Sequence, residues 1–260
     1  MTKPMLETKV DQLPVTVFQT QDELGRAAAA EAADLIQKAA HVRGEANVIL
    51  ATGNSQLAFL TALGQNKDLP WPRVNVFHLD EYVGLDRGHP ASFRNFLHRH
   101  FLRFVEVKAF YPISGRAGSI DTTCAEYARF LHEHPADLCV CGYGENGHLA
   151  FNDPPFADFN DPVWIKVVRL AQASRNQQVG EGHFQAMSEV PTHAITLTIP
   201  AMLAAKRILC LVPEARKAET VHRALRMPVS EDCPGSILRR TPHAHLFLDC
   251  DSAARAFQTS

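Results

Sequence analysis

Short runs of apolar residues that end in polar turns and alternate with residues of helical period constrain this chain more than any other feature. Asn47-Val48-Ile49-Leu50-Ala51 ends in Thr52-Gly53-Asn54-Ser55, after which Leu57, Leu60 and Leu63 take up a helical spacing. Val74 to Leu79, Leu138 to Cys141 and Arg207 to Val212 repeat the strand pattern, while Ser92 to Phe101, Ser119 to His134 and Ala215 to Leu225 repeat the helical one. Upstream, Thr20-Gln21-Asp22-Glu23 has the form of a capping box and opens a helix to about His41, with Leu24, Ala28, Leu35 and Ala39 on one face. Strands apolar at every position must be covered on both faces. The expected fold is therefore α/β, a doubly wound, mostly parallel sheet with helices on both faces. No repeat, linker or low-complexity tract divides residues 1–260, so a single domain is expected. The stretch from about 154 to 190 breaks the rhythm, with polar residues crowded from Gln172 to His183, and reads as a lid.

Charge narrows the range of partners. A net charge of -2 and a pI near 6.7 provide no basic stripe for nucleic acid or an anionic membrane surface. No run approaches the roughly 18 apolar residues of a membrane span, and Met1 to Val10 carries Lys3, Glu7 and Lys9 without an apolar centre. A cytoplasmic address is expected. The six cysteines are scattered, several within apolar runs, and are expected to be reduced core residues. Cys139 and Cys141 share one face of a strand with no second pair nearby, and none of the thirteen histidines has zincin spacing, so no metal site is expected.

Chemistry concentrates where strands give way to loops, since ligands of doubly wound sheets bind beyond the carboxyl ends of the strands. Thr52, Gly53, Asn54 and Ser55 offer hydroxyls, close backbone approach and a helix start, which suit a phosphate; a nucleotide-type lysine is missing. Asp80 and Glu81 end a buried strand, and adjacent extended residues point opposite ways, so one faces the ligand while the other anchors the loop. In Gly142-Tyr143-Gly144-Glu145-Asn146-Gly147-His148, the glycines let the backbone and His148 crowd a ligand, and His148 can exchange a proton near neutral pH. The G-x-G-x-x-G spacing stands mid-chain and runs into Asn152-Asp153-Pro154, which argues against a dinucleotide cofactor; no cofactor is expected.

These motifs carry a resemblance. Asp80-Glu81-Tyr82-Val83-Gly84-Leu85 with His89-Pro90, then Gly142-x-Gly144-x-x-Gly147-His148-x-Ala150-Phe151-Asn152, resembles the glucosamine-6-phosphate deaminase/isomerase family within the wider glucosamine-6-phosphate isomerase/6-phosphogluconolactonase superfamily. The Thr52 turn, Ala194 to Ile199 and Leu211 to Ala218 follow in the family's order. The resemblance implies a Rossmann-like fold and an aldose–ketose isomerisation with deamination of a hexosamine 6-phosphate. It implies phosphate contacts from Thr52 to Ser55 and Lys217, proton transfer between C1 and C2 by Asp80, and ring opening by His148. Glu81 and Gly147 are carried as further substrate-binding candidates.

Two positions depart from the family pattern, which has aspartate at Asn146 and glutamate at Asp153. Asn146 orients an imidazole without charge, and either Glu145 or Asp153 would restore the charge. The family's lid arginine has no aligned counterpart, leaving Arg175 or His183 as candidates. The rival readings are a 6-phosphogluconolactonase-like hydrolase, disfavoured by the Phe151-Asn152-Asp153-Pro154 tail, and a non-catalytic sugar-phosphate sensor. The sensor is disfavoured because the first helix starts near Thr20, leaving no room for a DNA-binding module. Monomer and homo-oligomer stay open.

Overall fold

The computed structural model describes residues 3–257 apart from positions 87, 117, 119 and 155. The chain opens with an antiparallel hairpin, β1 (Leu6–Val10) and β2 (Leu13–Phe18), followed by α1 (Gln21–Arg43), β3 (Ala46–Leu50), α2 (Leu57–Gln65), β4 (Val74–His78), β5 (Asp80–Tyr82) and α3 (Phe93–His100). Next come β6 (Ala109–Phe110), α4 (Ile120–Glu133), β7 (Leu138–Cys141), β8 (Ile165–Arg169), α5 (Gln172–Gly180) and β9 (His193–Leu197). The last elements are α6 (Ile199–Leu203), β10 (Ile208–Val212), α7 (Ala218–Arg226), β11 (Ala244–Asp249) and α8 (Cys250–Ala253).

The main sheet has the order β1-β2-β11-β10-β7-β3-β4-β6, parallel throughout except for the edge strand β1. Alternating side chains of its strands feed two cores, as a doubly covered sheet requires. Val48, Leu50, Leu138, Val140, Leu209 and Leu211 pack beneath α1, α2 and α3, while Ile49, Cys139, Cys141, Cys210 and Val212 pack beneath α4, α6, α7 and α8. All six cysteines are unpaired; Cys139, Cys141, Cys210 and Cys233 are core residues, whereas Cys124 and Cys250 are only partly covered. Among the described residues no helix is long and apolar enough to cross a membrane.

The expected first helix is capped as its sequence suggests, with Thr20 Oγ1 accepting Glu23 N–H at 3.2 Å and a left-handed Gly44 closing it after Arg43. Ser119, the expected start of α4, lies outside the described residues. The region from 154 to 190 is more ordered than a bare excursion. It holds β8 and α5, and β8 joins β9 and β5 in a second, antiparallel sheet, β5-β9-β8. That sheet packs on an aromatic cluster of Tyr82, Phe93, Phe151 and Phe184.

Gly25 of α1 sits where the helix crosses α2, and a Cβ there would lie 2.6 Å from Ala58 Cβ. A helix-interior glycine is normally costly against alanine, so close approach explains it. Gly25→Ala is expected to lower stability by about 1–3 kcal/mol through overpacking, measured as a reduced urea midpoint; a raised midpoint would refute the crossing geometry.

Candidate active site

The sheet reverses its winding between β3 and β7, which pair with each other while β4 lies beyond one and β10 beyond the other. Loops leaving the carboxyl ends of these strands splay apart there, and a cleft lies between them. Thr52, Gly53, Asn54 and Ser55 form one wall. Gly53 takes φ 105°, and a 3-10 turn over Asn54–Gln56 leads into α2, so the N-terminal N–H groups of that helical segment open on the cleft's side.

The 3-10 turn Ala215–Lys217 also brings Arg216 and Lys217 to the cleft. Lys217 is 3 % exposed, and its Nζ has no hydrogen-bond partner among the described residues. Burial, reinforced by Arg216 and opposed by Glu181, Glu145 and Glu214, pulls its ammonium down to about 8. Arg216, which the sequence reading did not single out, is held by Glu145 and Glu181 at 2.9 Å each and by Glu214. Its only sequence signal is its place beside Lys217.

Asp80 begins β5 and lines the cleft at 8 % exposure. Burial first, and then the charge of Glu81, push its carboxyl up to about 8. Glu81 points the other way and does not line the cleft, which corrects its reading as a substrate-binding residue. Its carboxylate accepts Ser92 Oγ at 2.7 Å and the backbone N–H groups of Phe93 and Arg94 at 3.1 and 3.0 Å, capping the start of α3.

His148 lines the cleft from the loop after β7. Its ring lies so close to Gly144 that a Cβ there would stand 2.0 Å from Cε1, a demand only glycine meets. Beyond the histidine, Ala150 takes a positive φ of 51°, and Asn152 Nδ2 donates to Leu149 O and Leu197 O, tying the loop to β9. His148 Nδ1 is 2.8 Å from Asn146 Oδ1, 3.0 Å from Asp153 Oδ1 and 3.2 Å from Ser174 Oγ. Acceptors around Nδ1 assign the proton of a neutral ring to that atom and leave Nε2 as the acceptor.

Asp153, 1 % exposed, is the carboxylate of this arrangement. Burial would raise its pKa, but the His148 charge and hydrogen bonds from His148, Ser174 and Asn146 outweigh it and hold the group below the usual carboxylate range. Glu145 is turned away to Arg216, so of the two candidates for restoring charge beside His148 the structure brings only Asp153 into contact. Gly147 also lies off the cleft: at φ 92° it packs against Cys233, whose Sγ a Cβ would meet at 2.6 Å, and its carbonyl accepts Gly235 N–H.

From α5 and the turn after it, Gln177, Gln178, Glu181 and His183 line the cleft. Arg175 does not; it donates to Met187 O and Val190 O at 2.7 and 2.9 Å, bracing the end of its own segment. Glu181 is held down to about 2 because hydrogen bonds from His183, Gln177 and Arg216 overcome its burial. Among the described residues no group of three or more His, Cys, Asp or Glu could hold a metal ion.

Fold and cleft together define an α/β protein with a carboxyl group, an imidazole and a buried lysine gathered at the switch point of its sheet. A family model described as glucosamine-6-phosphate isomerases/6-phosphogluconolactonase matches residues 19–247, and the chain belongs to that family. Glucosamine-6-phosphate deaminase of Bacillus cereus (strain B4264) is 32% identical over 235 residues, covering 90% of this chain and 86% of the relative. The enzyme of the same name from Bacillus thuringiensis (strain Al Hakam) is 33% identical with the same coverage. Among solved structures, a monomeric glucosamine-6-phosphate deaminase matches with a TM-score of 0.84 at 28% identity, over 93% of this chain and 99% of that one. The 6-phosphogluconolactonase of Trypanosoma brucei shares the fold, with a TM-score of 0.76 at 17% identity over 97% and 100% of the two chains.

The raised Asp80 pKa has a consequence for stability. Between the unfolded value and about 8 the folded state holds a proton that the unfolded chain has released, so the contribution is full at low pH and is lost as pH rises toward 8. Asp80→Asn removes this dependence. The variant is expected to gain thermal stability over wild type as pH goes from 5 to 8, by up to about 1.4 kcal/mol per pH unit; a constant difference in Tm across that range would contradict the burial argument.

Proposed function

We propose that this protein is a glucosamine-6-phosphate deaminase: it isomerises a hexosamine 6-phosphate and releases ammonia, leaving a ketose 6-phosphate. The observation that carries this reading is the union in one cleft of a buried carboxyl, Asp80, and a carboxylate-backed imidazole, His148, with an anion-binding wall at Thr52 to Ser55 and Lys217. Two kinds of proton transfer are needed at one end of such a sugar, and a phosphate must be held at the other.

In this reading the phosphate sits against the Thr52–Ser55 turn and Lys217, with Arg216 and His183 lining the same cleft. His148 Nε2 takes the proton of the anomeric hydroxyl and returns it to the ring oxygen as the C1–O5 bond breaks, and the Asp153 carboxylate stabilises the imidazolium formed in between. Asp80 then removes the proton from C2 while the C2 ammonium gives up a proton and the C1 oxygen takes one, leaving an enolamine, and Asp80 returns its proton to C1. The carbon at C2 is left as an iminium, to which water adds; ammonia leaves and the C2 carbonyl remains. No electron enters or leaves the protein.

The charges of substrate and cleft are complementary. The 2-ammonium group favours the ionised form of Asp80, and the phosphate favours the charged form of Lys217, each reversing a pKa displacement caused by burial. α5 and the turn to Phe184 serve as the cover of the cleft, and six unpaired thiols suit a reducing, cytoplasmic setting.

Ammonia release from glucosamine 6-phosphate tests the assignment. Asp80→Asn and His148→Gln are each expected to reduce kcat by about 10²- to 10⁴-fold, and Lys217→Met to raise KM by about ten- to a hundredfold through loss of a charged hydrogen bond. Wild-type kcat in both Asp80→Asn and His148→Gln would overturn the roles given to these residues.

A further inference from the structure

Within the acid–base reading of the cleft, we infer that Ser174 of α5 is a positioning residue for His148: its hydroxyl donates to Asp153 Oδ1 at 2.6 Å and lies 3.2 Å from His148 Nδ1, so the proton-transfer histidine is fully braced only while α5 is docked. His148, Asn146 and Asp153 belong to one loop and travel together. Ser174 is the one member of the cluster that comes from another element.

The hydrogen bonds around Asp153 are uneven. Oδ1 receives His148 Nδ1 at 3.0 Å, Asn146 Nδ2 at 2.7 Å and Ser174 Oγ at 2.6 Å, whereas Oδ2 is buried without a partner among the described residues. Three donors on one oxygen fix the carboxylate's rotation and spread its charge. The Ser174 share matters because a carboxylate that donates less of its charge elsewhere pairs more strongly with the imidazole and raises the pKa of that ring.

The burial of Ser174 has no packing explanation of the usual kind. The residue is 1 % exposed, and the buried side chains of α5 are Ser174 and Gln178, both polar and one helical turn apart. α5 has no side-chain cap at Ala171. Ser174 therefore ties the inner face of α5 to the histidine's carboxylate by a hydrogen bond, beside the apolar contact of Val179 with the cluster of Tyr82, Phe93, Phe151 and Phe184. The same helix carries Gln177 and Gln178 to the cleft, so cover and proton relay form one mechanical unit.

Removal of the hydroxyl tests this. His148 is titrated by NMR in wild type, Ser174→Ala, Ser174→Cys and Ser174→Thr, its signal identified by its loss in His148→Gln. Asp80 of β5, Glu181 and His183 beyond α5, and Arg216 and Lys217 before α7 share the cleft and are unchanged throughout. In the Ala and Cys variants the midpoint is expected to rise by about half a unit or more. The kcat for ammonia release should fall about three- to tenfold with KM nearly constant, and Thr should restore both. A merely structural serine would lower Tm and leave the titration and kcat at wild-type values, and that result in whichever of the two removal variants folds would overturn the inference. The titration needs no turnover, so a wild type that releases no ammonia would count against the proposed function and leave the Ser174 test intact.

Discussion

The Asp153 carboxylate, nearly sealed from solvent and gripped on one oxygen by His148, Asn146 and Ser174, is the contact on which the cleft depends. It sets the histidine tautomer, ties the loop after β7 to α5, and supplies the only negative charge in contact with the imidazole among the described residues. Asn146 makes this economy workable. The family pattern places an aspartate there, and in this geometry a second carboxylate would sit 2.7 Å from Asp153 Oδ1, where an amide instead donates a hydrogen bond. The same amide presents its oxygen to His148 Nδ1 and to the His148 backbone N–H. One charged and one neutral acceptor therefore share the work of orienting the ring.

Across the cleft the logic is reversed. Asp80 and Lys217 are buried, Lys217 Nζ without a hydrogen-bond partner among the described residues, and burial drives the carboxyl up and the ammonium down, each to about 8. Buried groups of this kind are costly in an empty site and become useful when the ligand brings the missing charges. A molecule with a cation at one end and a phosphate at the other relieves both costs together. The sheet makes this arrangement possible, because the carboxyl ends of β3, β7 and β10 and the start of β5 deliver all four groups from a rigid base.

The central strands were legible because parallel strands buried on both faces are apolar at every position, and Leu138 to Cys141 needed no adjustment. The β1–β2 hairpin and β11 were missed: β1 is largely exposed and mixes charge with short apolar residues, and β11 follows a histidine-containing turn with no clear boundary. Hydrophobic period also failed at α5, whose buried stripe is polar, so a helix read as an irregular lid. In the site, motif loops gave Asp80 and His148. The opposite facing of Asp80 and Glu81 followed from strand geometry, but which of them faced inward did not. Arg216 and Ser174 depend on contacts between distant segments, and the tethering of Arg175 on a turn within its own, and no local spacing announces them.

Glucosamine 6-phosphate and 6-phosphogluconolactone offered to the protein side by side, both followed by NMR, test the deaminase assignment most directly. The amino sugar is expected to be converted to equal amounts of ammonia and ketose 6-phosphate while the lactone decays at its uncatalysed rate. Rapid hydrolysis of the lactone with the amino sugar left intact would contradict the assignment.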